Sequence, residues 1–168
     1  MTEKLRILFL DFDGVVNTPI WNEEERCFTS NMPHHNAVNN KNAVALISRF
    51  CKQFGFKIVV TSDWRLNDNW RQCLLNGGLD SAVEILDRTD DLWSPRETHC
   101  RSSEIQKWLN EHEVECFIIV DDDEYFIHPI HKINLVLTNP DEGFSEWDFS
   151  QCVDIFERQV KWKSRWKI

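Results

Sequence analysis

Two aspartates set two positions apart, Asp11 and Asp13, close the apolar run LRILFL. In extended backbone they face one side, with Phe12 opposite. A second apolar run, KIVV, ends in Thr61-Ser62, and a third, CFIIV, ends in Asp121-Asp122-Asp123. As strands of one parallel sheet, the three runs bring their carboxyl ends to a common edge, where open α/β sheets bind ligands. As many as five carboxylates then converge. Carboxylates that close repel one another unless a cation stands among them. Oxygen-only donors of this kind suit Mg²⁺ rather than zinc. Solvated termini or helix caps explain any single acid. They explain three coincident strand ends poorly, because Asp is disfavoured beside apolar strand interiors.

The elements that must position these residues are legible as alternating apolar runs and amphipathic stretches. Strands are expected at 5–10, 57–61, 83–86, 116–120 and 133–137. Helical spacing of Val44, Ile47, Phe50, Cys51 and Phe54 predicts a helix over about 41–54, ended by Gly55. Ser62 is expected to cap a helix over about 66–76 that stops at Gly77-Gly78, and Ser102 or Ser103 one through Ile105, Trp108 and Leu109. Asn139-Pro140 reads as a turn, and Ser145 with Asp148 as a capping box opening the last helix. Strands alternating with helices imply an α/β fold on a parallel sheet. With no repeat and no linker, the chain reads as one domain over 1–168, with a long excursion at 17–40.

Composition narrows the classes. Of 168 residues, 42% are hydrophobic, enough for a core, and a net charge of −9 argues against a general phosphate-backbone binder. No apolar run approaches the roughly 18 residues of a membrane span, and the N-terminal run ends in aspartates, unlike a signal peptide. A cytoplasmic setting follows, with the six scattered cysteines as free thiols. His128 and His131, and the pair His34-His35, lack a second ligand pair and read as packing or surface residues rather than zinc ligands. Trp64, Trp93, Trp108 and Trp147 read as core.

Asp11-Phe12-Asp13-Gly14-Val15 after a strand resembles the first motif of the haloacid dehalogenase (HAD) superfamily. Thr61 resembles the second, Arg101 the basic third, and Asp121-Asp122 the fourth, all in the family's order. More narrowly, VVTSDWR, RSSEIQKWL and IIVDDD are similar to a cap-poor subgroup found in Swiss Army Knife RNA repair proteins and to the phosphatase domain of phage polynucleotide kinase-phosphatase. The resemblance implies a three-layer, Rossmann-like fold with a mainly parallel sheet and no large cap, and Mg²⁺-dependent phosphomonoester hydrolysis through an aspartyl-phosphate. It assigns Asp11 as nucleophile and Asp13 as general acid/base. Thr61, with Ser62, and Arg101 would bind phosphate; Lys107 is the alternative basic residue, disfavoured because it lies almost two turns into its helix. Asp11, the Asp13 carbonyl, Asp122 and Asp121 would hold the metal, and Asp123 would cap or face water.

The short 17–40 interval fits a small flap carrying Trp21, Phe28 and His34-His35, not a large cap. An open site suits a phosphate on a polynucleotide end or nucleotide. A phosphoprotein or a small metabolite is the alternative substrate. The basic tail, with Trp162 and Trp166 among Lys161, Lys163, Arg165 and Lys167, mixes the residue types that stack bases and touch phosphates, though a helix packing two indoles has the same spacing. From other classes stand a phospho-accepting signalling module and a catalytically idle binding module. Motif order and full retention of the motif residues speak against them.

Overall fold

The computed structural model describes residues 4–22, 27–29, 38, 40–92 and 100–165, leaving aside the side chains of 20–22, 27–29 and 162–165. Strand β1 (Leu5–Leu10) is apolar without alternation because both its faces are covered, as parallel sheets require. It lies at the centre of a five-stranded sheet, with β4 (Lys57–Val60) on one side and β6 (Val114–Asp121) on the other. The flanking strands are β5 (Ile85–Arg88) and β7 (Leu135–Leu137), in the order β5-β4-β1-β6-β7, all parallel. A separate antiparallel pair, β2 (Ile20–Asn22) and β3 (Cys27–Thr29), lies within the 17–40 excursion. The rest of the expected flap, with His34 and His35, lies outside the described residues.

Side-chain parity divides the core in two. Leu8, Leu10, Ile58, Val60, Ile118 and Val120 face helices α1 (Lys41–Phe54), α2 (Trp70–Asn76) and α5 (Glu146–Arg165). Ile7, Phe9, Val59 and Ile119 face Ile105 and Trp108 of α3 (Cys100–Glu111). Helix, sheet and helix thus form three layers, and among the described residues no large cap interrupts them. Gly55 closes α1 in the left-handed conformation (φ 71°), its N–H bonded to the Cys51 carbonyl. Ser145 and Asp148 make the expected reciprocal cap, with Ser145 N donating to Asp148 Oδ2 at 2.8 Å.

Several local expectations shift. Ser62 does cap, accepting from Trp64 N at 3.4 Å, but it opens a single 3₁₀ turn over Asp63–Leu66. Asn67 is then extended and α2 restarts at Trp70, because the short polar side chains of Asn67-Asp68-Asn69 compete with the helix for backbone bonds. The third strand sits two residues later than expected, at Ile85–Arg88. α3 is already helical at Cys100, so Ser102 and Ser103 are not its caps. Ser102 Oγ instead accepts from His128 N (2.7 Å) and meets His131 Nδ1 (3.1 Å), giving that histidine the expected packing role. His128 in turn caps α4 (Pro129–Lys132). Trp108 is core as expected, but Trp147 is 73% exposed, on the face of α5 away from Cys152 and Ile155; Trp93 lies outside the described residues. Cys51, Cys73, Cys100, Cys116 and Cys152 are unbridged, and among the described residues no helix is long and apolar enough to cross a membrane.

Candidate active site

At the carboxyl end of β1 the chain must leave a sheet that is covered on both sides. Asp11 N still bonds the Val120 carbonyl (3.0 Å), so Asp11 stays buried at the sheet edge. A tight turn follows, in which the Phe12 carbonyl accepts from the N–H groups of Val15, Val16 and Asn17 at 2.8–3.1 Å. Gly14 takes the positive φ (70°) that this turn needs. The turn keeps Phe12 in the core and puts Asp13 on the surface. Thr61, bonded to the Leu10 carbonyl (2.9 Å), and Ser62 are buried at the end of β4. Asp121 closes β6, and Arg101 enters from the first turn of α3.

These elements bring Asp11, Asp121 and Asp122 together, with one oxygen from each lying within 4.8 Å of the others. Arg101 Nη1 bridges two of them, 2.9 Å from Asp11 Oδ1 and 2.7 Å from Asp121 Oδ2. Three carboxylates against one guanidinium leave two negative charges in a site of low dielectric. The titration of the group reflects this. Burial pushes Asp11 up to about 7, with Arg101 opposing and Asp121 reinforcing the shift, while Ser62 donates a hydrogen bond that favours the anion. Burial, and then the Asp11 charge, raise Asp122 to about 6. Burial likewise raises Asp121 against the pull of Arg101. Burial pulls Arg101 down, but Asp11 and Asp121 outweigh it and hold the guanidinium above the usual arginine range.

A divalent cation fits this donor set: oxygens only, clustered, and two charges short of neutrality. The backbone leaves room for one of its donors. An ideal Cβ at Gly14 would stand 2.3 Å from Asp122 Cγ, so glycine lets Asp122 fold over the turn. Gly14→Ala is therefore expected to displace Asp122 and to add about 1–2 kcal/mol of left-handed strain. The expected result is a lower melting temperature and the loss of any stabilisation by added Mg²⁺, read by thermal melts with and without the ion.

The expected site residues separate clearly. Thr61 is fully buried, and its Oγ1 has no hydrogen-bond partner among the described residues, leaving a donor for a ligand oxygen. Lys107 pairs with Asp90 on an exposed part of α3, away from the acidic cluster, whereas Arg101 touches two of its members. Asp123 turns aside to cap the following 3₁₀ turn, accepting from Tyr125 N at 2.8 Å. Asp13 does not join the carboxylate cluster. It accepts from Asn17 Nδ2 (2.5 Å) and from Trp64 Nε1 at both oxygens (3.1 and 3.0 Å). Reading by strand ends misses Asn17 and Trp64; the polar Asn17 within a tight turn and the tryptophan two residues after Ser62 are the only local signals.

Sequence reading also misses a second buried pair just behind the site. Arg65 Nη2 lies 2.9 Å from Glu104 Oε1, with both side chains almost fully buried. Arg65 further donates to the carbonyls of Thr61 (2.7 Å), Thr89 (3.1 Å) and Asp90 (3.3 Å). It ties the ends of β4 and β5 to α3, three residues beyond Arg101. On the other side, Thr138 Oγ1 donates to the Gly14 carbonyl (2.9 Å) and Phe144 N to that of Val15 (2.8 Å). The acidic turn is thus held from both flanks.

A family model described as the HAD domain in Swiss Army Knife RNA repair proteins matches residues 7–149, from within β1 to the first turn of α5. No curated protein matches the chain.

Proposed function

The chain belongs to the family of HAD domains found in Swiss Army Knife RNA repair proteins, and from that premise we propose that it is a Mg²⁺-dependent phosphatase acting on a polynucleotide end or nucleotide. Membership puts it among phosphatase-type hydrolases. The observation that carries the finer reading is the meeting of Asp11, Asp121 and Asp122 with Arg101, at a sheet edge where Thr61 ends the neighbouring strand with a buried, unpartnered hydroxyl.

In this reading Asp11 is the nucleophile. Its carboxylate attacks phosphorus, the leaving oxygen departs with a proton from Asp13, and an aspartyl-phosphate remains. Asp13 then takes a proton from the water that attacks phosphorus and releases Asp11. Such proton transfers contribute about 10²–10⁴ in rate. Thr61 donates to a phosphoryl oxygen, joined by Ser62 once its hydroxyl turns from Asp11 to the substrate, and Arg101 supplies fixed positive charge where negative charge accumulates. Asp11, Asp121, Asp122 and the Asp13 carbonyl would hold Mg²⁺, whose charge, when bound, lessens the repulsion between nucleophile and phosphate.

The substrate class rests on the absence of a large cap and on the RNA-repair context of the family. The tail adds no support beyond its sequence: Lys161 pairs with Glu157 (2.6 Å), and the side chains from Trp162 onward lie outside the described residues. We read the chain as one HAD-like unit over 1–168 and, from the scattered spacing of its cysteines, place it in a reducing cytoplasm.

The test is phosphate release from p-nitrophenyl phosphate, from oligonucleotides with a 3′- or 5′-phosphate, from a phosphopeptide and from sugar phosphates, with Mg²⁺ or with EDTA. Mg²⁺-dependent release is expected, fastest from a nucleic-acid end. Preference for the peptide or the sugars would move the substrate class while keeping the chemistry. No release from any substrate would refute the phosphatase reading.

A further inference from the structure

Asp13 lies on the surface, where a free carboxylate samples several rotamers and a positioned proton donor is not assured. Two side chains remove that freedom. Asn17 reaches back across the turn to place Nδ2 2.5 Å from Asp13 Oδ1. Trp64, remote in sequence and carried by the turn after Thr61-Ser62, places Nε1 3.1 Å from Oδ1 and 3.0 Å from Oδ2. Asn17 is itself fixed, its N–H bonded to the Phe12 carbonyl and its carbonyl accepting from Gly14 N, each at 2.8 Å. The Trp64 ring is half-buried beside Phe12, with centroids 6.2 Å apart.

The two carboxylate oxygens are therefore unequal. An indole N–H and an amide NH₂ can only donate, so Oδ1, which faces both, is held as an acceptor. Oδ2 shares one donor and keeps a lone pair free. We propose that Asn17 and Trp64 are positioning residues that orient Asp13 so that Oδ2 carries the proton given to the leaving oxygen and later taken from water. The assignment rests on the phosphatase reading above, in which Asp13 is the acid/base.

In the first step the Oδ2–H bond breaks and its proton goes to the leaving oxygen as the P–O bond to that oxygen breaks and the bond from Asp11 to phosphorus forms. In the second, Oδ2 takes a proton from water as the water oxygen bonds phosphorus and the Asp11–phosphorus bond breaks. The sum is phosphomonoester plus water giving alcohol plus phosphate, with both aspartates restored.

Trp64→Phe tests the assignment, because it keeps the ring beside Phe12 and removes only the N–H. An alkyl leaving oxygen needs protonation; a p-nitrophenolate departs without it. On a 3′-phosphorylated oligonucleotide kcat/KM is expected to fall about 100-fold, the scale of a misplaced catalytic group. On p-nitrophenyl phosphate kcat/KM is expected to fall only several-fold, with a burst of about one equivalent of nitrophenol, because slowed hydrolysis lets the aspartyl-phosphate accumulate. Asn17→Ser is expected to show the same split more weakly, and melting curves report whether either variant folds. A folded Trp64→Phe protein that loses equally on both substrates, or on neither, overturns the clamp; if Trp64→Phe does not fold, the same comparison of substrates with Asn17→Ser decides the matter. Wild-type protein that releases phosphate from no substrate overturns the phosphatase reading and this assignment with it.

Discussion

Asp11→Asn is expected to abolish turnover, by about 10³-fold or more, while leaving the metal-free protein more stable than wild type at pH 8. The first effect follows from the proposed nucleophilic role: an amide offers no anionic oxygen to phosphorus. The second follows from burial. Asp11 titrates at about 7 in the folded chain because burial outweighs the attraction of Arg101, whereas an unfolded aspartate titrates near its ordinary value of 3.8. Between these values the folded state holds a proton that the unfolded chain has released. Folding stability therefore falls as pH rises through that window, and above about 7 the cost is present in full. Asparagine is neutral throughout and escapes it. In EDTA, the wild-type melting temperature is expected to fall by several degrees from pH 4 to 8, and that of Asp11→Asn to change less. Mg²⁺ is expected to raise the wild-type value at pH 8 and to leave the variant almost unmoved. A variant that still turns over substrate, or that melts below wild type across the range, would remove Asp11 from its assigned place.

Arg65→Met is expected to cost about 3–5 kcal/mol, because it strands the Glu104 carboxylate in a nearly dry site. Burial already raises Glu104 above the usual carboxylate range, with Arg65 as the largest opposing influence, so losing the guanidinium removes its main compensation. Three backbone carbonyls, of Thr61, Thr89 and Asp90, lose a donor at the same time. The melting temperature should drop by about 10 °C or more. Arg65→Met combined with Glu104→Leu should recover part of the loss, since no buried charge is then left alone, while the carbonyls stay unpaired. Urea unfolding of the two single variants and the double variant measures the coupling. Additive losses would show that the pair acts through its separate contacts rather than as an ion pair. Because Arg101 precedes Glu104 by three residues on α3, the single variants should also weaken phosphate binding.

How far these features were legible depends on whether they are local. The apolar run before Asp11, the left-handed glycine ending α1 and the Ser145–Asp148 cap each depend on a few adjacent residues, and their boundaries agree with the structure. The helix expected over 66–76 divides because Asn67-Asp68-Asn69 favour their own turn and because Arg65, whose type normally seeks water, is drawn into the protein by Glu104. The strand near Val83 shifts to Ile85–Arg88 because its pairing with β4, rather than its composition, sets its bounds. Trp147 is exposed although its type favours the interior. A hydrophobic side chain at a helix start faces the core only if the helix turns it there.

The sequence by itself determined the scaffold and the edge along which its oxygen donors gather. Apolar strands ending in Asp11, Thr61 and Asp121, separated by helices, admit few arrangements other than a parallel sheet with oxygen donors along one edge. Tertiary structure alone decided the pairings: Arg101 between Asp11 and Asp121, Asp13 away from them in the grip of Asn17 and Trp64, and Arg65 with Glu104 beneath. The physical reason is range. Strand and helix preferences act over neighbouring residues, whereas a hydrogen bond or ion pair in a low-dielectric site needs two side chains, tens of residues apart, to arrive within about 3 Å of each other.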